Sequence, residues 1–114
     1  MVIVEEGLNK LATEAGSLIV NGQWGTGTAD PTITDIGLGS ALPDSLNALG
    51  TAVTGRSIEF THTLTTTESN GETLAEYELR FANGDSLNRI LTAAINKESS
   101  YLVKTITVVT FSRG

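Results

Sequence analysis

The chain has 114 residues, no cysteine and a formal net charge of −6. The missing cysteines exclude disulfides, thiolate metal sites and thiol catalysis, and the acidic balance argues against nucleic acid, whose binding rests on phosphate neutralisation by Lys and Arg. With only 18% charged residues and 12 glycines, the composition suits one β-rich domain with tight turns better than a disordered polymer.

The opening MVIVEEGLNKL carries two acids where a secretory signal has its basic region, so no signal peptide is read there. No stretch reaches the roughly 18 apolar residues of a membrane span. Val4, Leu8, Leu11 and Ala15 recur at helical spacing, which predicts a helix over residues 3–16. Glu5 and Glu6 stand at its dipole-favoured start, and Gly16 is a natural stop. A strand over residues 1–4 followed by a loop is the alternative. With that stripe on the sheet, Leu11→Ala is expected to cost about 2–5 kcal/mol.

Residues 17–24 change period and predict a strand, with Leu18, Val20 and Trp24 on one face and Ile19, Asn21 and Gln23 on the other. Residues 25–55 are rich in Gly, Thr, Asp and Pro and predict a long irregular loop, with one helical turn capped by Asp44 or Ser45. Loops of that length are usually functional or wrapped around a neighbour. Residues 56–113 predict an antiparallel β region. Ile58, Phe60, His62 and Leu64 alternate with polar residues, and Ser69-Asn70-Gly71-Glu72 supplies a turn. Ala75, Tyr77, Leu79 and Phe81 then face inward, with Glu76, Glu78 and Arg80 outward. Asn83-Gly84 signals a hairpin into a strand over 87–95, with Leu87, Leu91, Ala93 and Ile95 on one face. The last strand, 100–113, is apolar on both faces, so it lies centrally in a sandwich or meets a partner chain. The chain is therefore a single domain, 1–114. Its fold class is mainly β (α+β): a β-sandwich of about five or more antiparallel strands with one N-terminal helix and a long loop.

Candidate chemistry is thin. WGTGTADP, residues 24–31, lacks the Gly-Lys-Ser/Thr of a phosphate loop and the third glycine of a dinucleotide site. Its glycines read instead as a sharply shaped strand end with Trp24 over one edge of the core. His62 has inward parity and reads as a core histidine, and Ser40 lacks the flanks of a nucleophile elbow. The pairs Asp30 and Asp35, or Glu68 and Glu72, do not match a calcium loop. No catalytic residue, cofactor site or metal site is assigned.

The order of features resembles a class of small virion structural proteins from tailed bacteriophages. The match lies in Glu5-Glu6-Gly7-Leu8-Asn9, in Gly25-Thr26-Gly27-Thr28 with Pro31, Asp35 and Leu38, and in the Asn70-Gly71 turn. It continues through Leu79-Arg80-Phe81-Ala82-Asn83-Gly84 and Lys97-Glu98-Ser99-Ser100 to a strand reaching Phe111. The chain departs from the class at Trp24, where a small or aliphatic residue is usual, and at Glu76-Tyr77-Glu78, which replaces a more apolar pattern.

The class includes tail-fibre-like, baseplate and capsid-decorating components. The resemblance implies a non-enzymatic β-sandwich in the virion that decorates or cements a capsid or tail. Its partners would be further copies of itself, with a trimer favoured, and major capsid or tail proteins, with no nucleic acid or membrane. Trp24, Ile33, Ile36, Leu38, Leu42 and Leu46 are the expected interface residues. The alternative is a tail-fibre or baseplate module binding a host saccharide or protein through the loop, with Trp24, Tyr77 and Tyr101 as its aromatics. Removal of residues 30–50 is expected to leave a folded monomer.

Overall fold

The computed structural model describes residues 1–113. A helix α1 (Glu5–Leu18) runs directly into β1 (Ile19–Gly25). After a 3-10 turn at Pro43–Ser45 come β2 (Asn47–Ala48), β3 (Gly50–Thr54), β4 (Ser57–Leu64), β5 (Thr73–Phe81), β6 (Ile90–Asn96) and β7 (Val103–Thr110). These make two antiparallel sheets, ordered β2-β1-β5-β6 and β3-β4-β7. The mainly β fold expected from the sequence is present, with seven strands among the described residues.

The core lies between the sheets. Ile19, Trp24, Leu74, Tyr77 and Leu79 from one sheet meet Ile58, Phe60 and Leu64 from the other. The alternation of β4 is realised in full, since Ile58, Phe60, His62 and Leu64 are all buried. His62 is thus a core residue: its Nε2–H donates to Ser45 O at 2.8 Å, and its ring meets Tyr77 edge-on. Burial is the main cause that holds its pKa below the ordinary histidine value.

Four local readings are corrected. The helix does not stop at Gly16, which stays outside the left-handed region that a glycine stop uses. A Cβ at Gly16 would lie 3.1 Å from Val53, so the small residue lets the helix settle close onto β3. The buried face is accordingly Leu8 and Ala12, while Leu11 is 48% exposed. Leu8→Ala is therefore expected to cost about 2–5 kcal/mol, and Leu11→Ala to stay within about 0.5 kcal/mol. Urea denaturation of the two variants checks the order, and a larger loss at Leu11 would overturn this placement of the helix.

In β1, Ile19 pairs with Phe81 and Asn21 with Arg80, so Val20 is an extra residue. That bulge shifts the parity and puts Ile19 and Trp24, five positions apart, into the same core. Within 25–55, residues 47–54 carry β2 and β3. Every residue of β3 is exposed, so no apolar alternation marks it. It exists because Gly55 (φ +57°) and Arg56 turn the chain back and pair Thr54 with Ser57.

The fourth correction concerns the sheet faces. Glu76 and Glu78 do point away from the inter-sheet core, yet both are buried, because the chain between β1 and β2 lies over them. The last strand is not central either. Among the described residues β7 ends its sheet, with Val103 and Val109 packed inward and Ile106 and Val108 exposed.

Candidate functional site: a clamped loop

The segment between β1 and the 3-10 turn is a closed loop and not a loose connection. Thr26 N–H donates to Ser40 O and Leu42 N–H to Trp24 O, both at 2.9 Å, which pins the two ends of the loop together. The Ser45 hydroxyl, wholly buried, reinforces this base. It receives the Trp24 N–H at 2.9 Å and lies 2.7 Å from Leu42 O. Ser45 therefore fastens the loop to the core, where the sequence suggested a helix cap.

Inside the loop the carboxylate of Glu76 is the organising group. Its Oε2 accepts the backbone N–H groups of Gly27 and Ser40, and its Oε1 accepts that of Gly39, each at 2.8 Å. Arg89 Nε–H donates to Oε1 at 2.8 Å, so a fully buried carboxylate has four donors. This explains the glycine pattern of WGTGTADP. A Cβ at Gly25 would collide with Glu76 Oε2, and one at Gly27 would lie 2.5 Å from the same oxygen. The Gly-Thr-Gly-Thr segment does cradle an anion, and that anion is the chain's own carboxylate. Burial pushes the Glu76 carboxyl up, but the donations from Ser40, Arg89, Gly39 and Gly27 outweigh it and hold its pKa below the ordinary value.

Arg89 carries the clamp outward from Glu76 to the loop tip. Its Nη2–H donates to Ala29 O at 2.6 Å, and its Nη1–H to Asp35 Oδ2 at 3.2 Å. Asp35 in turn accepts the Thr32 N–H at 2.9 Å and the Thr32 hydroxyl at 3.0 Å, closing a tight turn over residues 32–35. The Thr32 bonds, the backbone one first, hold the Asp35 carboxyl below its ordinary pKa. Glu78, two residues from Glu76 on the same face, has the opposite environment. Its Oε1 lies 3.5 Å from Arg80 Nε, and its buried Oε2 has no hydrogen-bond partner among the described residues. Burial raises its pKa.

The six expected interface residues separate under this geometry. Ile33 and Ile36 flank the Asp35 turn at the tip and are 104% and 95% exposed. Leu46 is partly exposed beyond the 3-10 turn, Leu38 is half-buried, and Leu42 packs on the core. Trp24 is buried at 2% exposure against Tyr77, with ring centroids 5.0 Å apart, so neither aromatic is presented to a saccharide or a partner. Of the two roles that the sequence suggested for Trp24, cover for the core and interface residue, only the first fits this burial.

Of the acids weighed for a cation, Asp35 and Glu68 serve as internal acceptors, while Asp30 and Glu72 are exposed. Glu68 Oε1 accepts the Thr65 N–H and an Asn47 amide hydrogen, and Asp44 accepts both the N–H and the hydroxyl of Ser69. Among the described residues no group of three or more His, Cys, Asp or Glu side chains is placed to hold a metal ion. Lys97 is fully buried, its Nζ–H donating to Asn70 Oδ1 and Glu98 O, and it ties the 69–72 turn to the segment before β7. Excision of residues 30–50 would strip Glu76 of two amide donors and remove Ser45 and β2, so the structure contradicts the expected folded deletion product.

Sequence reasoning missed Glu76, Arg89 and Lys97. The one signal for the first was the density of glycines in a loop too long to stand alone, because glycines in close approach require something to approach. What the arrangement can do chemically is hold two large aliphatic side chains in water on a rigid mount. Comparison with protein-family models, with curated proteins and with solved structures gives no match.

Proposed function

We propose that this chain is a non-enzymatic structural subunit of a phage virion, decorating or cementing a capsid or tail through oligomeric β-sandwich contacts. The observation that carries the reading is the clamped tip. Two isoleucines are left almost wholly in water, on a turn fastened by Asp35 and Arg89 to a buried carboxylate. An apolar side chain gains roughly 1.5–3 kcal/mol when fully buried, and a tip ordered beforehand does not lose chain entropy on docking. The resemblance in the Gly-Thr-Gly-Thr, Asn-Gly and C-terminal strand segments supplies the shell as the surface it meets. The saccharide alternative is left with Tyr101 as its one exposed aromatic, since Trp24 and Tyr77 lie in the core.

The double variant Ile33→Ser, Ile36→Ser is expected to keep its melting temperature, since neither side chain packs in the monomer. It should lose at least about tenfold in affinity for purified capsids or tails, the equivalent of 1.4 kcal/mol. Co-sedimentation reads the loss. Failure of the unchanged protein to bind either particle would overturn the proposal.

A further inference from the structure

We infer that β7 pairs antiparallel with β7 of a second copy about a two-fold axis, joining two three-stranded sheets into one of six. This goes beyond the docking role of the loop and stands without it. β7 ends its sheet among the described residues, runs eight residues in unbroken register with β4, and holds one charged residue, Lys104. Edge strands of soluble proteins are ordinarily blunted by charges, prolines or bulges. Of the two edge strands of the other sheet, β2 has only two residues, and the register of β6 with β5 breaks between Leu74 and Glu76. β7 has neither feature.

The backbone is oriented for such pairing. Phe111 N–H donates to Arg56 O in register with the β4–β7 ladder, so odd-numbered residues of β7 turn their amides toward β4. Lys104, Ile106 and Val108 therefore direct theirs to the free edge. The same three side chains lie on the outer face, where Ile106 and Val108 are exposed.

Charge selects both the occupant and the register. An axis through Ile106 sets the two Ile106 side chains together and places Lys104 of each copy beside Val108 of the other. Val108 lies beside Glu59 of β4, so across Val108 each Lys104 meets the Glu59 of the opposite copy. The strands involved are about 4.8 Å apart, which puts the two charged residues about 10 Å apart at the backbone, within reach of their long side chains. An axis one residue further on places Lys104 beside Thr110 and Ser57, a row without an acid. The surface is thus complementary to itself in one register, as a two-fold contact requires.

The test is the mass of the full chain in solution, by sedimentation at low and moderate salt. A dimer of the 12.0 kDa chain is expected, in place of the three-fold assembly that the resemblance implies. Lys104→Glu and Glu59→Lys, both at exposed positions, should each weaken the dimer by about tenfold or more. The double variant carrying both changes should recover it, with melting temperatures unmoved at dilutions where every variant is monomeric. Ile106→Lys, which sets two ammonium groups on the axis, should give monomers. A monomeric or trimeric unchanged protein, or a double variant as weak as the single ones, would overturn the inference. The Ile33 and Ile36 changes should leave this mass unaltered, so failure of the docking role and failure of the dimer are separately visible.

Discussion

Glu76→Gln is expected to destabilise the domain by about 3–5 kcal/mol, the range for breaking a buried ion pair by removing one partner. The amide side chain turns an N–H₂ group toward backbone N–H donors and leaves Arg89 without its anion. Since a domain of this kind is stable by only about 5–15 kcal/mol, the variant should be marginal. Its loop should also become sensitive to proteolysis between residues 26 and 40. Chemical denaturation and limited proteolysis read the two effects, and a loss under about 1 kcal/mol would show that the loop is held by something other than this carboxylate.

The neighbouring acid should behave in the opposite way. Glu78 is buried with one oxygen unpartnered, so Glu78→Gln should be neutral or stabilising at pH 7. The pH dependence follows from the two directions of shift. The folded-state pKa of Glu76 is depressed, so its contribution is complete above the unfolded carboxylate value of about 4.3 and is lost as pH falls through the folded value. That of Glu78 is raised. Its favourable contribution is complete below the unfolded value and is lost as pH rises through the folded one. The deficit of Glu76→Gln should therefore shrink on acidification below about pH 4, whereas any gain of Glu78→Gln should already disappear at higher pH, as it falls from the raised folded value of Glu78 to about 4.3.

Trp24→Ala should cost about 3–5 kcal/mol, as for other large aromatic truncations in a core. The indole is buried between the sheets and tilted at 50° against Tyr77. Its backbone N–H and C=O also anchor Ser45 and Leu42 at the base of the loop, so a cavity here loosens the clamp as well as the core. As the chain has one tryptophan, emission from the folded protein should be that of a dry indole and should shift to the red on unfolding. A Trp24→Ala protein of unchanged stability would return this residue to the surface role that its position beside the glycines suggests.

The elements legible in the sequence are those whose burial follows from local period. The stretch around Ile58, Phe60, His62 and Leu64 alternates strictly, and one face of such a strand has only one place to go. The Asn83-Gly84 turn, the helical spacing near the N-terminus and the mainly β class were readable on the same grounds. So was the odd composition of the Gly25–Thr28 segment, though not what it surrounds.

Tertiary structure decided the remainder, because each of those outcomes depends on a partner distant in the chain. Whether Glu76 faces water or a nest of amides depends on Gly27, Gly39 and Ser40, which lie 36 to 49 residues away. A period-two pattern reports which side of a strand a residue takes and says nothing of what covers that side. The bulge at Val20, which brings Ile19 onto the core face beside Trp24 in place of Leu18 and Val20, is visible only in the pairing of β1 with β5. β3 has no apolar face of its own and is a strand only because β4 accepts it. The apolar outer face of β7 was evident from its residues, but its place at the edge of a sheet follows from the order β3-β4-β7 alone. Local sequence sets which backbone shapes are cheap, and the long-range pairings choose which faces stay wet.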